Sequence, residues 1–214
     1  MKSLLFVFCI IACSSFGQEV KDAKSQGILD KLSLKMKGLK SFYIEYSSTT
    51  KNASTGVNTP STGKGWVKDN KFYASYGDNT IVSNGLKQWT IVKSEKTVYV
   101  SDVNASDSDA INPKKLLTVW ETGFKNKYEK EETLNSETVH VINLYPKVPA
   151  KADYHTIILY ISKAKNEMKK VILKSKDGTV VTYLLTKFTT NEIIEDAKFV
   201  FDIKKYPGYK TVTD

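Results

Sequence analysis

The chain has 214 residues and 41% hydrophobic content, enough to bury the core of one ordinary globular domain without cross-links. Its formal charge is +9, and every one of its 32 basic residues is lysine, so bidentate arginine readout of DNA bases is excluded. Both cysteines stand at the very start, at Cys9 and Cys13.

Lys2, the apolar run at 4–12 and the small residues ending in Ser15-Phe16-Gly17 read as a secretory leader, residues 1–17, with cleavage before Gln18. The apolar run is too short to span a bilayer. Residues 18–214 then form one exported domain with no cysteine. Disulfides, thiolate catalysis and cysteine-based zinc sites drop out together. Ile10-Ile11-Ala12-Cys13 also fits the loose pattern of a bacterial lipoprotein processing site. Two outcomes therefore stay open: a free exported protein, or one lipid-anchored at Cys13. The leader carries Lys2 and no acid, so its loss lowers the net charge by one, to +8. Such a surface favours anionic membranes or acidic partners. Alternatively, its lysines simply solvate outward strand faces and blunt sheet edges. No lysine-rich run or recognition helix points to nucleic acid.

Val20, Ala23, Ile28, Leu32 and Met36 recur at helical spacing, with Leu29 and Leu39 broadening the stripe, and predict a helix over 20–37 ended by Gly38. From Leu39 the period becomes two: Phe42, Ile44 and Tyr46 share one strand face. A loose Ser/Thr/Asn segment at 47–62 reads as a long hairpin end. Strands are expected at 63–68, 71–76, 79–83, 88–93 and 97–101. Asn84-Gly85 between two apolar runs is a strong hairpin signal, and Gly77-Asp78-Asn79 marks another turn. A polar loop covers 104–109. Asn112-Pro113 opens a short mid-chain helix, with Leu116, Leu117 and Trp120 on one side and Gly123 at its end. Further strands are expected at 125–133, 139–144, 154–162, 168–175, 180–189 and 199–203, with Asp177-Gly178 as a tight turn. So many consecutive strands predict one mainly β, antiparallel sheet of about ten or eleven strands, curled into a closed or nearly closed barrel. Several strands, 154–161 among them, are apolar on both faces. The second face is either covered by a helix or lines a cavity.

Chemistry-bearing constellations are few. His140 and His155 are the only histidines, and neither has a nearby partner at metal-ligand spacing. There is no nucleophile elbow and no phosphate-binding glycine loop. Asp102 to Ser106 starts like a calcium loop, but Asp107 stands where glycine is needed and Pro113 where a bidentate glutamate is needed. Glu131 and Glu132 are adjacent and face opposite sides of a strand. No cofactor or metal is expected. What remains is apolar surface at Phe42, Tyr46, Trp66, Phe72, Tyr73, Trp89, Tyr99 and Trp120, either ordinary core or the wall of an apolar cavity.

Several motifs carry a family resemblance. They are Leu39-Lys40-Ser41-Phe42-Tyr43-Ile44-Glu45-Tyr46, Gly63-Lys64-Gly65-Trp66-Val67-Lys68 with Lys71-Phe72-Tyr73, and Ile81-Val82-Ser83-Asn84-Gly85 with Gln88-Trp89. Asn112 to Leu117 and the tail Phe199-Val200-Phe201 with Tyr206-Pro207-Gly208-Tyr209 complete the set. In order and spacing the chain resembles the periplasmic outer-membrane lipoprotein carrier (LolA-like) family. That resemblance implies an incomplete, strongly curved β-barrel with an N-terminal helix and a mid-chain lid helix. It implies a non-enzymatic, monomeric carrier that takes lipoprotein acyl chains from an inner-membrane lipoprotein-releasing ABC transporter to an outer-membrane acceptor. Phe42, Ile44, Tyr46, Trp66, Phe72, Trp89 and Ile91 are then expected to line the acyl-chain cavity, and Leu116, Leu117 and Trp120 to serve the lid. The alternative is a membrane-anchored acceptor or a lipid-sensing regulator on the same fold, for which Cys13 is the discriminating residue. An envelope hydrolase lacks any motif. Many family members latch the lid with an Arg-Pro after the second strand, and here Asp69-Asn70 occupy those positions.

Overall fold

The computed structural model describes residues 22–103 and 119–213. The expected leader with Cys13, the expected polar loop at 104–109 and most of the expected mid-chain helix, including Leu116 and Leu117, lie outside the described residues.

The chain opens with α1 (Ala23–Lys37), one turn shorter at its start than expected. Asp22 caps it by accepting the backbone N–H groups of Lys24 and Ser25, which satisfies two orphan donors of the first turn. Gly38 is the C-cap. Among the described residues twelve strands follow: β1 (Ser41–Asn52), β2 (Val57–Lys68), β3 (Lys71–Tyr76), β4 (Asn79–Ser83), β5 (Lys87–Val92), β6 (Thr97–Asp102), β7 (Phe124–Leu134), β8 (Glu137–Pro146), β9 (Tyr154–Ser162), β10 (Met168–Ser175), β11 (Thr179–Thr190) and β12 (Lys210–Thr213).

Three expectations change. The polar segment at 47–62 is not loose: β1 and β2 run on through it in register from Ser41↔Lys68 to Asn52↔Val57. The Thr residues suit strand backbone, and β11 pairs with the other side of β1, so β1 is paired along both of its edges. Residues 199–203 are not a strand but lie between two 3-10 turns, Asp196–Phe199 and Ile203–Lys205. The last strand is instead β12, which pairs parallel with β6. Of the mid-chain helix, the described part is a 3-10 turn, Val119–Glu121.

All twelve strands form one sheet in the order β12-β6-β5-β4-β3-β2-β1-β11-β10-β9-β8-β7. Its ends, β12 and β7, are not paired to each other, so the sheet is not closed into a barrel. Twist accumulates over so many strands and curls an open sheet. The turns form as the sequence implies. Gly85 has φ +88°, and Asn84 Oδ1 accepts the N–H groups of Leu86 and Lys87. Gly178 has φ +84° between β10 and β11. Both glycines occupy the left-handed region that a tight hairpin requires.

Strand alternation gives the sheet two unlike faces. The inner face packs on α1: Leu29, Leu32 and Met36 join Phe42, Val67, Phe72 and Ile81 from one arm and Ile142, Leu144, Leu159 and Ile161 from the other in one core. The outer face carries two smaller clusters. One is centred on Val82, Ile91 and Val98 beneath the C-terminal segment. The other is centred on Val139, Val141 and Tyr160.

Candidate functional site

The residues expected to line a cavity divide between the two faces. Phe42 pairs across to Val67, and Val67 to Phe72, so these share the inner face. Tyr43 pairs with Trp66, Trp66 with Tyr73, Tyr73 with Val82 and Val82 with Trp89. That row is the outer face. Trp66, Trp89 and Ile91 therefore point away from Phe42, Ile44, Tyr46 and Phe72. One residue of register parity sets the difference.

The outer row is sealed by the chain's own C-terminus. Trp89 stacks on Phe201 at 5.5 Å and Phe201 on Tyr206 at 5.6 Å, while Tyr209 meets Tyr206 edge-on. Lys198 Nζ sits 3.7 Å above the Trp66 ring and 4.4 Å above Tyr73. Burial there pushes the Lys198 ammonium below its ordinary pKa, and the ring faces supply attraction in return. Lys68 and Lys71 hold Asp196, the first residue of the covering segment.

On the inner face, exposure is graded. Phe42 is 1% exposed and Phe72 4%, both packed in the core around α1. Ile44 and Tyr46, further along β1, are only half-buried. Beside them lie four residues that sequence reasoning did not single out: Val171 and Leu173 on β10, Leu185 and Phe188 on β11. Leu173 and Val171 alternate plainly. The pair on β11 was hidden because the register shifts opposite Glu45 and Tyr46, so Leu185 and Phe188 reach one face at a spacing of three. Tyr46 meets Tyr183 edge-on at 5.7 Å, and its ring lies across Gly63. A Cβ on Gly63 would sit 2.3 Å from that ring. The glycine is what lets the tyrosine lie flat against β2. A groove of about 400 Å³ adjoins this spot, and its wall includes Tyr43, Glu45, Lys64 and Ser75 of the outer row. Burial pushes the Tyr46 phenol above its ordinary pKa.

Trp120 is the one expected lid residue that the described structure includes. It is 5% exposed, belongs to the inner core, and its Nε1–H donates to Ser33 Oγ of α1 at 2.8 Å. Glu121 forms an ion pair with Lys37 at 2.8 Å. The segment leading into β7 is thus fastened to the helix.

Among the described residues, the two histidines stand apart from each other. His140 Nδ1 lies 3.6 Å from Glu131 and, with Tyr128 Oη, has no hydrogen-bond partner among the described residues. Burial lowers the pKa of this imidazole. His155 is exposed, and its Nδ1 lies 2.8 Å from Thr156 Oγ1. Among the described residues no three His, Cys, Asp or Glu side chains gather as metal ligands. No described helix is long and apolar enough to cross a membrane. The arrangement offers an apolar surface that can take apolar matter.

Among the described residues, an open curled sheet wraps its largest apolar core around one α-helix. The chain belongs to the family of the outer membrane lipoprotein carrier protein LolA, whose profile matches residues 13–171. An uncharacterized conserved protein from Thermus thermophilus is similar in structure, with a TM-score of 0.55 at 12% identity, over 89% of this chain and 99% of that one. LprF from Mycobacterium bovis aligns with a TM-score of 0.45 at 13% identity, over 80% and 95% of the two chains. An outer membrane lipoprotein-sorting protein domain from Vibrio parahaemolyticus aligns with a TM-score of 0.43 at 12% identity, over 81% and 94%. No curated protein matches the sequence.

Proposed function

We propose that this protein is a non-enzymatic carrier that holds the acyl chains of lipoproteins against its inner sheet face and moves them through the periplasm. The observation that carries this is the half-buried apolar row Ile44, Val171, Leu173, Leu185 and Phe188, continuous with the core yet not covered by α1 to the depth of Phe42. Each methylene that leaves water for such a surface contributes about 0.8 kcal/mol, so a partly open face holds a long chain while leaving it releasable. Family membership supports the same reading. An inner-membrane ABC transporter as donor and an outer-membrane acceptor as recipient follow from it. Ile44, Tyr46 and the β10–β11 residues are assigned to the chain-binding wall. Phe42 and Phe72 are its floor. Trp66, Trp89 and Ile91 serve the outer face.

An arginine latch has no counterpart here. Asp69 and Asn70 form the β2–β3 turn, with Asp69 at φ +52°. The Asn70 side chain lies so close over Gly85 that a Cβ there would be 2.4 Å from it. These residues hold two turns together. The ties between Trp120 and Ser33 and between Glu121 and Lys37 are the candidate lid fastening instead.

The test is direct. Protein purified from its own envelope should carry acylated lipid or lipoprotein by native mass spectrometry. It should also bind a fluorescent fatty-acid probe that Leu185→Asp weakens at least tenfold. A protein that emerges empty, with probe binding indifferent to Leu185→Asp, would overturn the carrier reading.

A further inference from the structure

The end of the sheet toward which the inner face opens is unusually basic. Burial falls along β1 from Phe42 to Tyr46, and along β9 from Ile161 to the half-buried Tyr154. Both gradients run toward the same end, where the β8–β9 connection, the β10–β11 turn and the start of β7 meet. These are tied together. Lys147 N–H donates to Gly123 O at 2.8 Å, Lys176 N–H to Asp153 O at 2.9 Å and Lys176 Nζ to Pro149 O at 2.7 Å.

Six lysines crowd this end: Lys125, Lys127, Lys147, Lys151, Lys174 and Lys176. The acids among them are Glu129, Asp153 and Asp177. Asp177 is occupied by the Thr179 N–H and hydroxyl, and Glu129 by Asn143 and Lys127. Among the described residues, the ammonium groups of Lys147, Lys151 and Lys174 meet no carboxylate. Between Lys147 and Lys151 the chain turns in a short 3-10 turn (Pro149–Lys151), and Val148 stands 54% exposed at its tip. The opposite end differs. It too exposes apolar side chains, Leu86 and Ile193, and four of its lysines are paired: Lys68 and Lys71 with Asp196, Lys87 with Asp102, Lys37 with Glu121.

We propose that the lysine-rimmed end at the β8–β9 and β10–β11 turns is a docking surface for an anionic lipid bilayer, with Val148 entering the headgroup layer. Unpaired lysines complement an anionic surface, and an exposed aliphatic tip between them is the arrangement that lies on a membrane rather than in it. Docked so, the opening of the apolar face points at the bilayer. Use of that orientation for loading or delivery rests on the carrier reading above, whereas the docking itself does not.

The experiment is co-sedimentation of the full mature chain with phosphatidylcholine vesicles, with and without added phosphatidylglycerol. We expect binding only to the phosphatidylglycerol vesicles, and its loss at high salt. The triple change Lys147→Gln, Lys151→Gln, Lys174→Gln should weaken binding by about fivefold per lysine, on the order of 100-fold in all. A control triple of equal charge, Lys40→Gln, Lys204→Gln, Lys205→Gln, should change it several-fold at most, and Val148→Asp should weaken it on its own. The fatty-acid probe should bind the first triple as it binds wild type, which separates failure of docking from failure of chain binding. Equal loss in both triples would reduce the effect to net charge and overturn the proposal. So would binding to pure phosphatidylcholine, or no vesicle binding together with triple-sensitive binding of polyglutamate, which would mark an acidic protein partner instead.

Discussion

Ser33 illustrates how much one hydroxyl can hold. It accepts the Trp120 Nε1–H in a buried site. Ser33→Ala leaves that donor unpaired at a cost of about 1–3 kcal/mol, and denaturant titration should show it. It should also loosen the segment before β7, read as faster amide exchange at 119–123. Gly63→Ala drives a Cβ into the Tyr46 ring and the Ser75 carbonyl, which lies 2.7 Å away. Backbone cannot yield as a side-chain tip does, so about 1–3 kcal/mol of stability should be lost. His140 gives a pH dependence. It faces Glu131, with Lys163, Lys24 and Lys31 also acting on it, and burial is the largest influence, lowering its pKa in the folded state. The unfolded chain then binds the proton more tightly. The stability of the neutral form is complete above the ordinary histidine range and drains away as pH falls from about 6.5. His140→Phe keeps the ring against Tyr128 and should remove this slope between about pH 7 and 5, as followed by urea midpoints.

At the scale of elements, the two sheet faces predict opposite phenotypes. Trp89 lies under the C-terminal segment, stacked on Phe201. Trp89→Ala should cost about 3–5 kcal/mol of stability while leaving the fatty-acid probe affinity of the surviving folded protein within twofold. Ile44→Ser, on the half-buried inner row, should do the reverse: a modest stability loss and clearly weaker probe binding. Equal effects of the two on the probe would mean that the inner face is not the chain-binding wall. Trp66 and Trp89 looked equivalent to Phe42 and Phe72 in the sequence because all four sit in strand-forming segments. Alternation shows that neighbours such as Trp66 and Val67 face apart, but not which side is covered. The covering segment lies more than a hundred residues away, at Lys198 and Phe201, and nothing local to Trp66 records it.

For the whole molecule, the open sheet leaves two edges, β7 and β12. β7 reads Phe-Lys-Asn-Lys-Tyr-Glu-Lys-Glu-Glu-Thr-Leu, and charge at this density resists pairing with a second copy. β12 is short and fully exposed. We expect a monomer by light scattering, with aggregation promoted by salt or by Lys127→Val and Lys130→Val together. Pairing of β1 with β11 closes the middle of the sheet over a long stretch of chain, so folding should be slow for a chain of this size and show one cooperative unfolding transition.

What the sequence determined by itself was local: the helix ended at Gly38, the hairpins at Asn84-Gly85 and Asp177-Gly178, most of the strands, and the motifs that carry the family resemblance. These rest on neighbouring residues, where backbone preference and short-range periodicity act. Tertiary structure alone decided that 47–52 and 57–62 are strand rather than loop, because β11 supplies the missing partners for β1. It decided that the tail becomes two 3-10 turns and a parallel edge strand, because the aromatic row on the outer face needed cover. It also brought Leu185 and Phe188 onto the face of Ile44 and Tyr46, because a register shift between β1 and the distant β11 sets their parity, and no local pattern contains that shift.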